Sequence, residues 1–386
     1  MDITIDPRQL RGEINVIPSK SQAHRLLICA AFADRPTVIH CAESNRDIEA
    51  TVDCLRALGA QITATESGFT VHPIQNIPQT AVLDCHESGS TLRFMLPIVG
   101  ALGVDGTFTL AGRLADRPLS PLWEEMERMG CSLSRPTANT IRCTGKLENG
   151  EYVIDGGVSS QFITGLLFAH WLMDDCTLTV TGKLESKPYI DLTKAALSLF
   201  EGRRSPGSVT VEGDWSNGAF WLVANAFDCD LSIHGLATDS LQGDRAVVDI
   251  LLQLQSGKAV ISAADIPDLV PILAVAAAAH HGATFTDIQR LRLKESDRVA
   301  SVIAMIENLG GQAKATENTL EILPADLTGG TVDSCNDHRI AMASAIAAII
   351  CKEPVTIIGA QAVNKSYPQF WAEYRRLGGN YEQHNR

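Results

Sequence analysis

Several basic residues lie where predicted helices begin, a position that is usually unfavourable for a cation because the helix dipole is positive there. Lys20, Arg25, Arg93 and Arg339 all follow short polar segments of the kind that start helices. N-capping explains the Ser, Asp and Asn residues of these segments, but it does not explain the cations. A cation beside free backbone N–H groups is stabilised when an anion lies between them. These residues therefore predict binding sites for anionic ligands.

The same kind of helix start recurs along the chain. N-capping alone accounts for Asp214 and Ser216, but basic residues recur at other starts and in the connections that lead to later helices. The six helix starts are at 20–21, 87–90, 159–161, 214–216, 265–268 and 336–339. The basic connecting residues are Arg113, Arg117, Lys183, Lys187, Arg290, Arg292, Lys294, Arg298 and Lys365. If the repeats are related by pseudo-threefold symmetry, one end of each domain collects all of these residues.

The helix starts belong to a longer repeat. An amphipathic helix, a glycine and a short β-rich stretch follow one another several times, ending at Gly59, Gly130, Gly202, Gly257, Gly310 and Gly379. Glycine just past a helix is a common stop signal, and the spacing fits a whole supersecondary unit better than a solenoid repeat. Each unit reads strand–helix–strand–helix–glycine–strand, with INVIP opening the first and SVTVEGD opening the fourth. Six such units predict an α/β protein with two domains, 19–212 and 1–18 with 213–386.

Two units are short. Phe200 is followed so closely by SPGSVTVEGD (205–214) that no room remains for the strand pair that should complete the third unit. Either the unit is trimmed there, or a stretch of chain is missing. The approach to the fifth unit, QSGKAVISAADIPD, is also short and indicates a compact variant.

Composition limits the possible functions. The length of 386 residues suits two domains, and a net charge of −13 argues against a general nucleic-acid binder. The ten cysteines form no CxxC pair, so they predict reduced thiols rather than a zinc or dithiol site. The start resembles no targeting peptide, and the longest apolar runs, Leu269–Ala279 and Ile340–Cys351, are too short to cross a membrane. We therefore expect a cytoplasmic protein without a nucleotide-binding loop, because GxxxxGK[ST] is also absent.

Nine segments, in order along nearly the whole chain, resemble the motifs of the 3-phosphoshikimate 1-carboxyvinyltransferase (EPSP synthase) family of enolpyruvyl transferases. Each segment alone is a weak signal, but the ordered set is specific. The segments are PSKSQAHR (18–25), ESGSTLRFM (87–95), DRPLSPL (116–122), SSQFITGLL (159–167), SKPYIDLT (186–193), ADIPDLVPIL (264–273), LKESDR (293–298), NDHRIAM (336–342) and NKSYP (364–368). The resemblance implies a two-domain inverse α/β barrel-like fold of six βαβαββ units, three per domain, with the active site in the interdomain cleft. It also implies a monomer.

The resemblance further implies two anionic substrates and the residues that hold them. Shikimate 3-phosphate would contact Lys20, Ser21, Arg25, Ser159, Ser160, Gln161, Ser186, Tyr189, Asp268 and Lys294. Phosphoenolpyruvate would contact Lys20, Gly89, Arg93, Arg117, Gln161, Arg298, Arg339 and Lys365. No metal or cofactor is implied. Glyphosate, which in this family occupies the phosphoenolpyruvate site, is expected to inhibit.

The reaction that the resemblance implies is an addition followed by an elimination, which needs a general acid for carbon and a general base for a hydroxyl. Glu295 resembles the family's proton donor to C3 of phosphoenolpyruvate, and Asp268 resembles the acceptor of the hydroxyl proton. Lys20 and Lys365 are further candidates for proton transfer and for phosphate departure. The division of roles among these four residues stays open.

Two alternatives compete with this interpretation. The sister enzyme that uses UDP-N-acetylglucosamine carries a reactive cysteine in the loop that reads RLADRPLS here, where no cysteine occurs. A non-catalytic anion-binding protein would not need Asp268 and Glu295 beside two anions. One small departure from the family motif is Glu87, where many relatives carry Asn.

Overall fold

The computed structural model describes residues 1–384 and divides into two compact units. Residues 18–212 form one, called here the central unit. Residues 1–17 and the chain from Gly213 onward form the other, called the terminal unit. The chain therefore passes from one unit to the other twice.

The secondary structure alternates strands with helices throughout. The strands are β1 (Asp2–Asp6), β2 (Arg11–Asn15), β3 (Thr37–His40), β4 (Gln61–Thr65), β5 (Gly68–His72), β6 (Thr80–Asp84), β7 (Asp105–Thr109), β8 (Cys131–Thr137), β9 (Thr140–Gly145), β10 (Glu151–Asp155), β11 (Thr177–Thr181), β12 (Ser208–Thr210), β13 (Asp230–His234), β14 (Ala259–Ser262), β15 (Ala283–Thr286), β16 (Gln312–Ala315), β17 (Thr319–Leu323), β18 (Gly330–Asp333), β19 (Val355–Ile358) and β20 (Asn380–His384).

The helices fill the intervals between these strands. They are α1 (Lys20–Ala31), α2 (Arg46–Ala57), α3 (Gly89–Leu102), α4 (Leu122–Arg128), α5 (Ser160–Leu172), α6 (Lys187–Leu199), α7 (Trp215–Ala226), α8 (Val247–Ser256), α9 (Val270–Ala279), α10 (Arg298–Asn308), α11 (His338–Ala347) and α12 (Phe370–Arg376). Short 3-10 segments lie at Gly112–Asp116, Glu201–Arg203, Gly243–Ala246, Gln289–Leu293 and Ala360–Lys365.

The second repeat shows the complete βαβαββ unit. Its chain order is β6, α3, β7, α4, β8 and β9, and its sheet order is β6-β7-β9-β8. Strands β6 and β7 are parallel because helix α3 connects them, whereas β9 pairs antiparallel with β7 and β8. The fifth repeat has the same form, with a sheet ordered β14-β15-β17-β16.

The first and sixth repeats reach four strands by recruiting a distant strand. The first sheet is ordered β12-β3-β5-β4, and the sixth is ordered β18-β19-β1-β20. In the part of the chain that the structure describes, the third and fourth repeats contain two strands each, β10-β11 and β13-β2. The predicted shortening of the third unit is thus confirmed, and the chain runs directly from α6 through 201–203 to β12. The short approach to the fifth unit reflects a second loss, because the fourth unit also ends without its strand pair.

Two strands pair in a different repeat from the one that their sequence predicts. The INVIP segment was expected to open the first repeat, but β2 pairs with β13 in the fourth. The SVTVEGD segment was expected to open the fourth repeat, but β12 pairs with β3 in the first. Each strand comes just before the helix that was expected to follow it, but the chain crosses between the two units after the strand. The strand therefore stays in the unit that the chain is leaving. The expected domain bounds already put residues 1–18 with the second domain, but the pattern of a single repeat does not show which sheet β2 or β12 joins.

In each unit the helices form the interior and the sheets the outside. Helix α9 is buried on every side, and α3 and α11 are nearly so. Strands such as β6, β10 and β14 alternate between buried and exposed residues, as expected for sheets that cover a core with one face. The helices approach one another closely: a Cβ at Gly165 of α5 would collide with the backbone of Arg93 in α3. This contact sets the spacing of two helix starts that carry candidate site residues.

Among residues 1–384, no helix combines the length and the apolar composition that a membrane span requires. The ten cysteines all lie in this part of the chain, none of them forms a disulfide, and seven are buried.

Candidate active site

In the central unit, the starts of α1, α3, α5 and α6 carry the candidate residues. Ser19, Ser88 and Ser159 are the N-caps of the first three helices, and each accepts a hydrogen bond from a backbone N–H of the first turn. Capping residues of this kind satisfy one of the free donors, and the other N–H groups remain oriented outward along the helix axis. The starts therefore contribute partial positive charge in addition to the basic side chains.

Arg25 ties the start of α1 to α6. Its Nη1 donates to the Ser21 carbonyl at 2.5 Å, its Nη2 to the Tyr189 carbonyl at 2.9 Å, and its Nε to Thr193 Oγ1 at 2.8 Å. The guanidinium also lies over the ring of Phe94. Burial lowers the pKa of Arg25 to about 10. Arg25 thus positions Ser21 and Tyr189 directly, and it supplies positive charge from inside the unit.

Arg93 and Arg117 converge on Gly89 at the start of α3. A Cβ added at Gly89 would lie 2.6 Å from Arg117 Nη1 and 2.8 Å from Arg93 Nη1, so the glycine makes room for both guanidinium groups. Arg93 Nη1 donates to Gln161 Oε1 at 2.8 Å, and Gln161 Nε2 donates to Ser90 Oγ at 3.0 Å. These bonds join the starts of α3 and α5. Two cations held side by side at a helix start form a strong site for an anion.

The serines of the third repeat lie at two further helix starts. Ser159 and Ser160 open α5, and Ser160 is buried. Ser186 precedes α6 in a left-handed conformation (φ 57°) and is also buried. A non-glycine residue in this region stores strain of order 1–3 kcal/mol, and such strain tends to concentrate at functional sites.

Lys20 is paired with an acid that the sequence analysis did not select. Its Nζ lies 2.8 Å from Asp47 Oδ2, at the start of α2. Both side chains are mostly buried. The pair holds the ammonium group at the start of α1, because a flexible lysine would otherwise sample many rotamers.

In the terminal unit, the guanidinium of Arg298 holds three carboxylates. Its Nε donates to Asp337 Oδ2 at 2.8 Å, its Nη1 to Asp268 Oδ1 at 2.5 Å, and its Nη2 to Glu295 Oε2 at 2.7 Å. Arg298 is 1% exposed. Although burial opposes its charge, Asp337, Glu295 and Asp268 raise the pKa of Arg298 well above its ordinary value. The guanidinium therefore remains charged and fixes the geometry of both candidate catalytic carboxylates.

Asp268 lies among cations. Lys294 Nζ is 3.8 Å from its Oδ1, and Arg339 Nη2 is 3.8 Å from its Oδ2. Burial alone would favour the neutral acid, but Lys294, Arg298 and Arg339 hold the pKa of Asp268 well below its ordinary value. Burial lowers the pKa of Lys294 to about 8, against the opposing effect of Asp268. Asp268 is thus ionised near neutral pH.

Arg339 and Lys365 are anchored through backbone carbonyls. Arg339 Nη1 donates to the Ser216 carbonyl at 2.8 Å, and Lys365 Nζ donates to the Asn336 carbonyl at 2.8 Å. Asn336 and the preceding Cys335 both have positive φ (55° and 50°). These consecutive left-handed residues turn the chain sharply before α11 and direct the Asn336 carbonyl toward Lys365.

Asp244 is a buried acid that the sequence analysis missed. Its Oδ2 accepts a hydrogen bond from Ser216 Oγ, and its Oδ1 has no hydrogen-bond partner among the described residues. Burial, together with the negative charge of Asp268, raises the pKa of Asp244 to about 7. The only signal in the sequence was a single acid in LQGDRA, which looks like an ordinary turn.

The predicted residues thus form two groups, one in each unit. The central group contains Lys20, Ser21, Arg25, Gly89, Arg93, Arg117, Ser159, Ser160, Gln161, Ser186 and Tyr189. The terminal group contains Asp268, Lys294, Glu295, Arg298, Arg339 and Lys365. Within each group, the hydrogen bonds and ion pairs described above link most members to a neighbouring helix start.

Comparison with known proteins gives the family. A family model described as EPSP synthase (3-phosphoshikimate 1-carboxyvinyltransferase) matches residues 5–374. The chain belongs to the EPSP synthase family. A 3-phosphoshikimate 1-carboxyvinyltransferase of Clostridium kluyveri is 37% identical, with 99% of this chain and 98% of that protein covered. A protein of the same name from Clostridium novyi is 38% identical, with 98% of each covered.

Solved structures support the same fold. An EPSP synthase from Acinetobacter baumannii has a TM-score of 0.78 at 22% identity, covering 99% of this chain and all of that chain. The aligned stretch with the Clostridium kluyveri family member is 418 residues long, although this chain has only 386 residues. That relative therefore carries segments that this chain lacks.

We predict that Asp244→Asn stabilises the protein in a pH-dependent manner. Because the folded-state pKa of Asp244 is raised, the native state binds more protons than the unfolded state between the ordinary aspartate pKa and about 7, and stability falls as pH rises through that range. Asparagine removes this penalty and can still bond to Ser216. The melting temperature of the variant should exceed that of the wild type clearly at about pH 8 and much less at about pH 5.

The control is Asp249→Asn, which changes an exposed acid on α8. Thermal melts that show the same shift for Asp244→Asn at both pH values would contradict the assignment of the raised pKa to Asp244.

Proposed function

We propose that this protein transfers the enolpyruvyl group of phosphoenolpyruvate to the 5-hydroxyl of shikimate 3-phosphate and releases phosphate. The observation that carries the proposal is the convergence of Arg93 and Arg117 on Gly89, at the start of α3. Two guanidinium groups held against a glycine at a helix start suit a carboxylate or phosphate of the substrate, although Arg93 also joins α3 to α5 through Gln161. The members of the family named above carry this activity in their names.

The central group is proposed to bind shikimate 3-phosphate. The N-termini of α5 and α6 present Ser159, Ser160 and Ser186, and helix starts of this kind are suited to phosphate. Ser21, Arg25, Gln161 and Tyr189 would contact the rest of this substrate. Arg25 supports Ser21 and Tyr189 by direct hydrogen bonds, which favours a preorganised site over one that forms on binding.

Phosphoenolpyruvate is proposed to bind to Lys20, Gly89, Arg93, Arg117 and Gln161 of the central unit. Arg298, Arg339 and Lys365 of the terminal unit would also contact phosphoenolpyruvate. Asp268 and Lys294 of the same unit would contact shikimate 3-phosphate. This assignment requires that the two groups of residues meet in a cleft between the units. Two anionic substrates repel each other, and the large number of fixed cations would offset that repulsion.

In the proposed addition step, the 5-hydroxyl oxygen of shikimate 3-phosphate bonds to C2 of phosphoenolpyruvate while C3 accepts a proton. Glu295 would donate that proton, and Asp268 would accept the hydroxyl proton. In the elimination step, C3 returns a proton and the C2–O bond to phosphate breaks. Lys20 and Lys365 would assist proton transfer or the departure of phosphate; Asp47 contacts the ammonium of Lys20, and the Asn336 carbonyl contacts that of Lys365.

The low pKa of Asp268 has a consequence for the proposed base. A carboxylate stabilised by three cations is a weak proton acceptor. If the same cations bind substrate anions, the anions compensate their charge and Asp268 becomes more basic. Substrate binding would therefore make Asp268 a stronger proton acceptor. In the free enzyme Asp268 would stay ionised.

The runner-up acceptor is UDP-N-acetylglucosamine. The absence of a cysteine from RLADRPLS (113–120) disfavours it, as do the serines at the starts of α5 and α6. The deciding experiment measures phosphate release from phosphoenolpyruvate with each acceptor in turn. Release only with shikimate 3-phosphate supports the proposal, and release with neither acceptor rejects it in favour of a non-catalytic anion-binding protein.

We predict that Glu295→Gln lowers kcat by about 100-fold or more and leaves both KM values nearly unchanged, because glutamine keeps an oxygen for Arg298 but cannot donate a carboxylic proton. The matched control is Glu307→Gln, an exposed position on the helix that Arg298 begins. Steady-state kinetics with unchanged kcat for Glu295→Gln would remove Glu295 from the proton-transfer steps.

We also predict that Gly89→Ala raises KM for phosphoenolpyruvate by about tenfold or more and weakens inhibition by glyphosate. The new Cβ would displace Arg117 and Arg93, and one displaced charged hydrogen bond is worth about 1.5–3 kcal/mol. KM for shikimate 3-phosphate serves as the internal control and should change little. Equal increases in the two KM values would indicate general damage to the unit instead of loss of the anion site.

A further inference from the structure

The third repeat leaves one strand without its normal neighbour. In the complete second repeat, β7 is covered by β9, with Phe108 opposite Ile141. In the third repeat, β11 occupies the position of β7 and pairs only with β10, because no strand pair follows α6. The complete repeats therefore show what normally lies against this edge, namely an antiparallel strand.

The inner face of β11 is only partly covered as a result. Parallel pairing places Leu178 beside Tyr152 and Val180 beside Ile154, so the four side chains share one face. Tyr152 and Ile154 are 0% and 1% exposed, whereas Val180 is 37% exposed and Leu178 is only partly buried. Phe108, which corresponds to Val180 in the complete repeat, is fully buried. Leu178 thus packs against the core, whereas Val180 faces the core side and stays 37% exposed.

The backbone of β11 offers hydrogen-bonding groups at the same edge. Thr177 N–H donates to the Gly150 carbonyl, and the Thr181 carbonyl accepts from Gly156 N–H, so Thr177, Thr179 and Thr181 bond toward β10. Alternation along the strand then directs the N–H and C=O groups of Leu178 and Val180 outward. Neither residue has a backbone partner on that side within residues 1–384.

Two comparable edges are closed by side chains. At β13, the other strand that lacks its hairpin, Asn225 Nδ2 donates to the Leu231 carbonyl at 2.8 Å and its Oδ1 accepts from Leu231 N–H at 3.0 Å. At the far edge of β10, Glu125 accepts from Val153 N–H and Arg128 donates to the Glu151 carbonyl. Among the described residues, 1–384, no side chain caps β11 in this way, and its sequence TLTVT contains no charge and no proline that would prevent pairing with another strand.

We propose that β11 pairs antiparallel with β11 of a second copy of this chain, about a two-fold axis at Thr179. The edge is self-complementary, because Leu178 of one copy and Val180 of the other would exchange both of their outward hydrogen bonds. Thr179 would face Thr179 of the second copy as a non-hydrogen-bonded pair. The two copies would restore on each other the cover that the missing hairpin provides in complete repeats.

Charge along the strand selects the antiparallel direction. Asp174 and Asp175 precede β11 and Lys183 follows it, and all three are exposed; within one copy, Lys183 Nζ lies 3.9 Å from Glu185 Oε1. An antiparallel pair brings the acidic end of one copy to the basic end of the other, whereas a parallel pair would bring like charges together. Leu184 and Leu199, which are 40% and 48% exposed, add apolar surface to the same repeat. The resulting dimer departs from the monomer that the family resemblance implies.

The first test measures mass in solution by sedimentation equilibrium. The wild type should associate to twice the mass of the chain, and Thr179→Lys should remain a monomer because two ammonium groups would meet on the axis. Within one copy the lysine would lie beside Glu151, which accepts a hydrogen bond from Thr179 at 2.9 Å, so folding should be preserved. Mixing Thr179→Lys with Thr179→Glu should restore association. Phosphate release should be unchanged in Thr179→Lys, because the strand lies outside the proposed catalytic residues.

The second test fixes the register by cross-linking. Thr179→Cys should form a disulfide-linked dimer under mild oxidation, because non-hydrogen-bonded partners have Cα atoms about 4.5 Å apart. Thr181→Cys is the matched control on the same face of the strand, since its partner in this register is Thr177. The wild type measures background from the native thiols. A monomeric wild type, or equal cross-linking at positions 179 and 181, would overturn the proposal. A wild-type monomer that instead binds an extended peptide at this edge would assign the site to a different partner.

Discussion

The terminal unit depends on one guanidinium that holds three acids. Arg298 joins Asp337 at the start of α11, Asp268 before α9 and Glu295 at its own helix start, and almost none of it is exposed. Removing one partner from a buried pair of this kind costs about 3–5 kcal/mol, since it leaves a charge without compensation. The same bonds that stabilise the unit therefore also orient the two carboxylates that the proposed chemistry needs. Stability and catalytic geometry cannot be varied independently here.

The repeat architecture explains why the functional residues collect at helix starts. In a βαβαββ unit the first helix begins where the first strand ends, so three related units place three helix starts on the same side. The interior is apolar and filled by α3, α9 and α11, which leaves the helix ends as the natural place for charge. Loss of the hairpins from the third and fourth repeats does not disturb these starts, because the hairpins follow the second helix of each unit. A shorter chain can thus keep the complete set of candidate residues.

The candidate site residues and the number of repeats could be predicted because each depends on a short stretch of sequence. A cation at a helix start is unfavourable beside the positive end of the helix dipole. This unusual position is visible in the sequence alone, and it indicated Lys20, Arg93 and Arg339. The glycine after each second helix gave the number of repeats. Pairings that depend on distant chain segments were not predictable: β2 and β12 each joined the sheet of a different repeat from the one that their sequence indicates, and Asp47 lies beside Lys20 only because α1 and α2 pack together. Asp244 and Asn225 were missed for the same reason, since only burial and strand order reveal their roles.

The two incomplete repeats show how a fold tolerates the loss of strands. A strand edge that has lost its neighbour needs new partners for its N–H and C=O groups and a new cover for its apolar side chains. β13 meets the first need through Asn225 at Leu231, and Leu231 is itself buried, so the edge is largely closed within the chain. Within residues 1–384, β11 leaves the outward groups of Leu178 and Val180 without backbone partners and leaves Val180 exposed, although both strands lost the same element. At β11, unpaired hydrogen-bonding groups and exposed apolar surface occur together. One added strand would pair the backbone groups and cover the apolar side chains at once. A single new side chain could not do both.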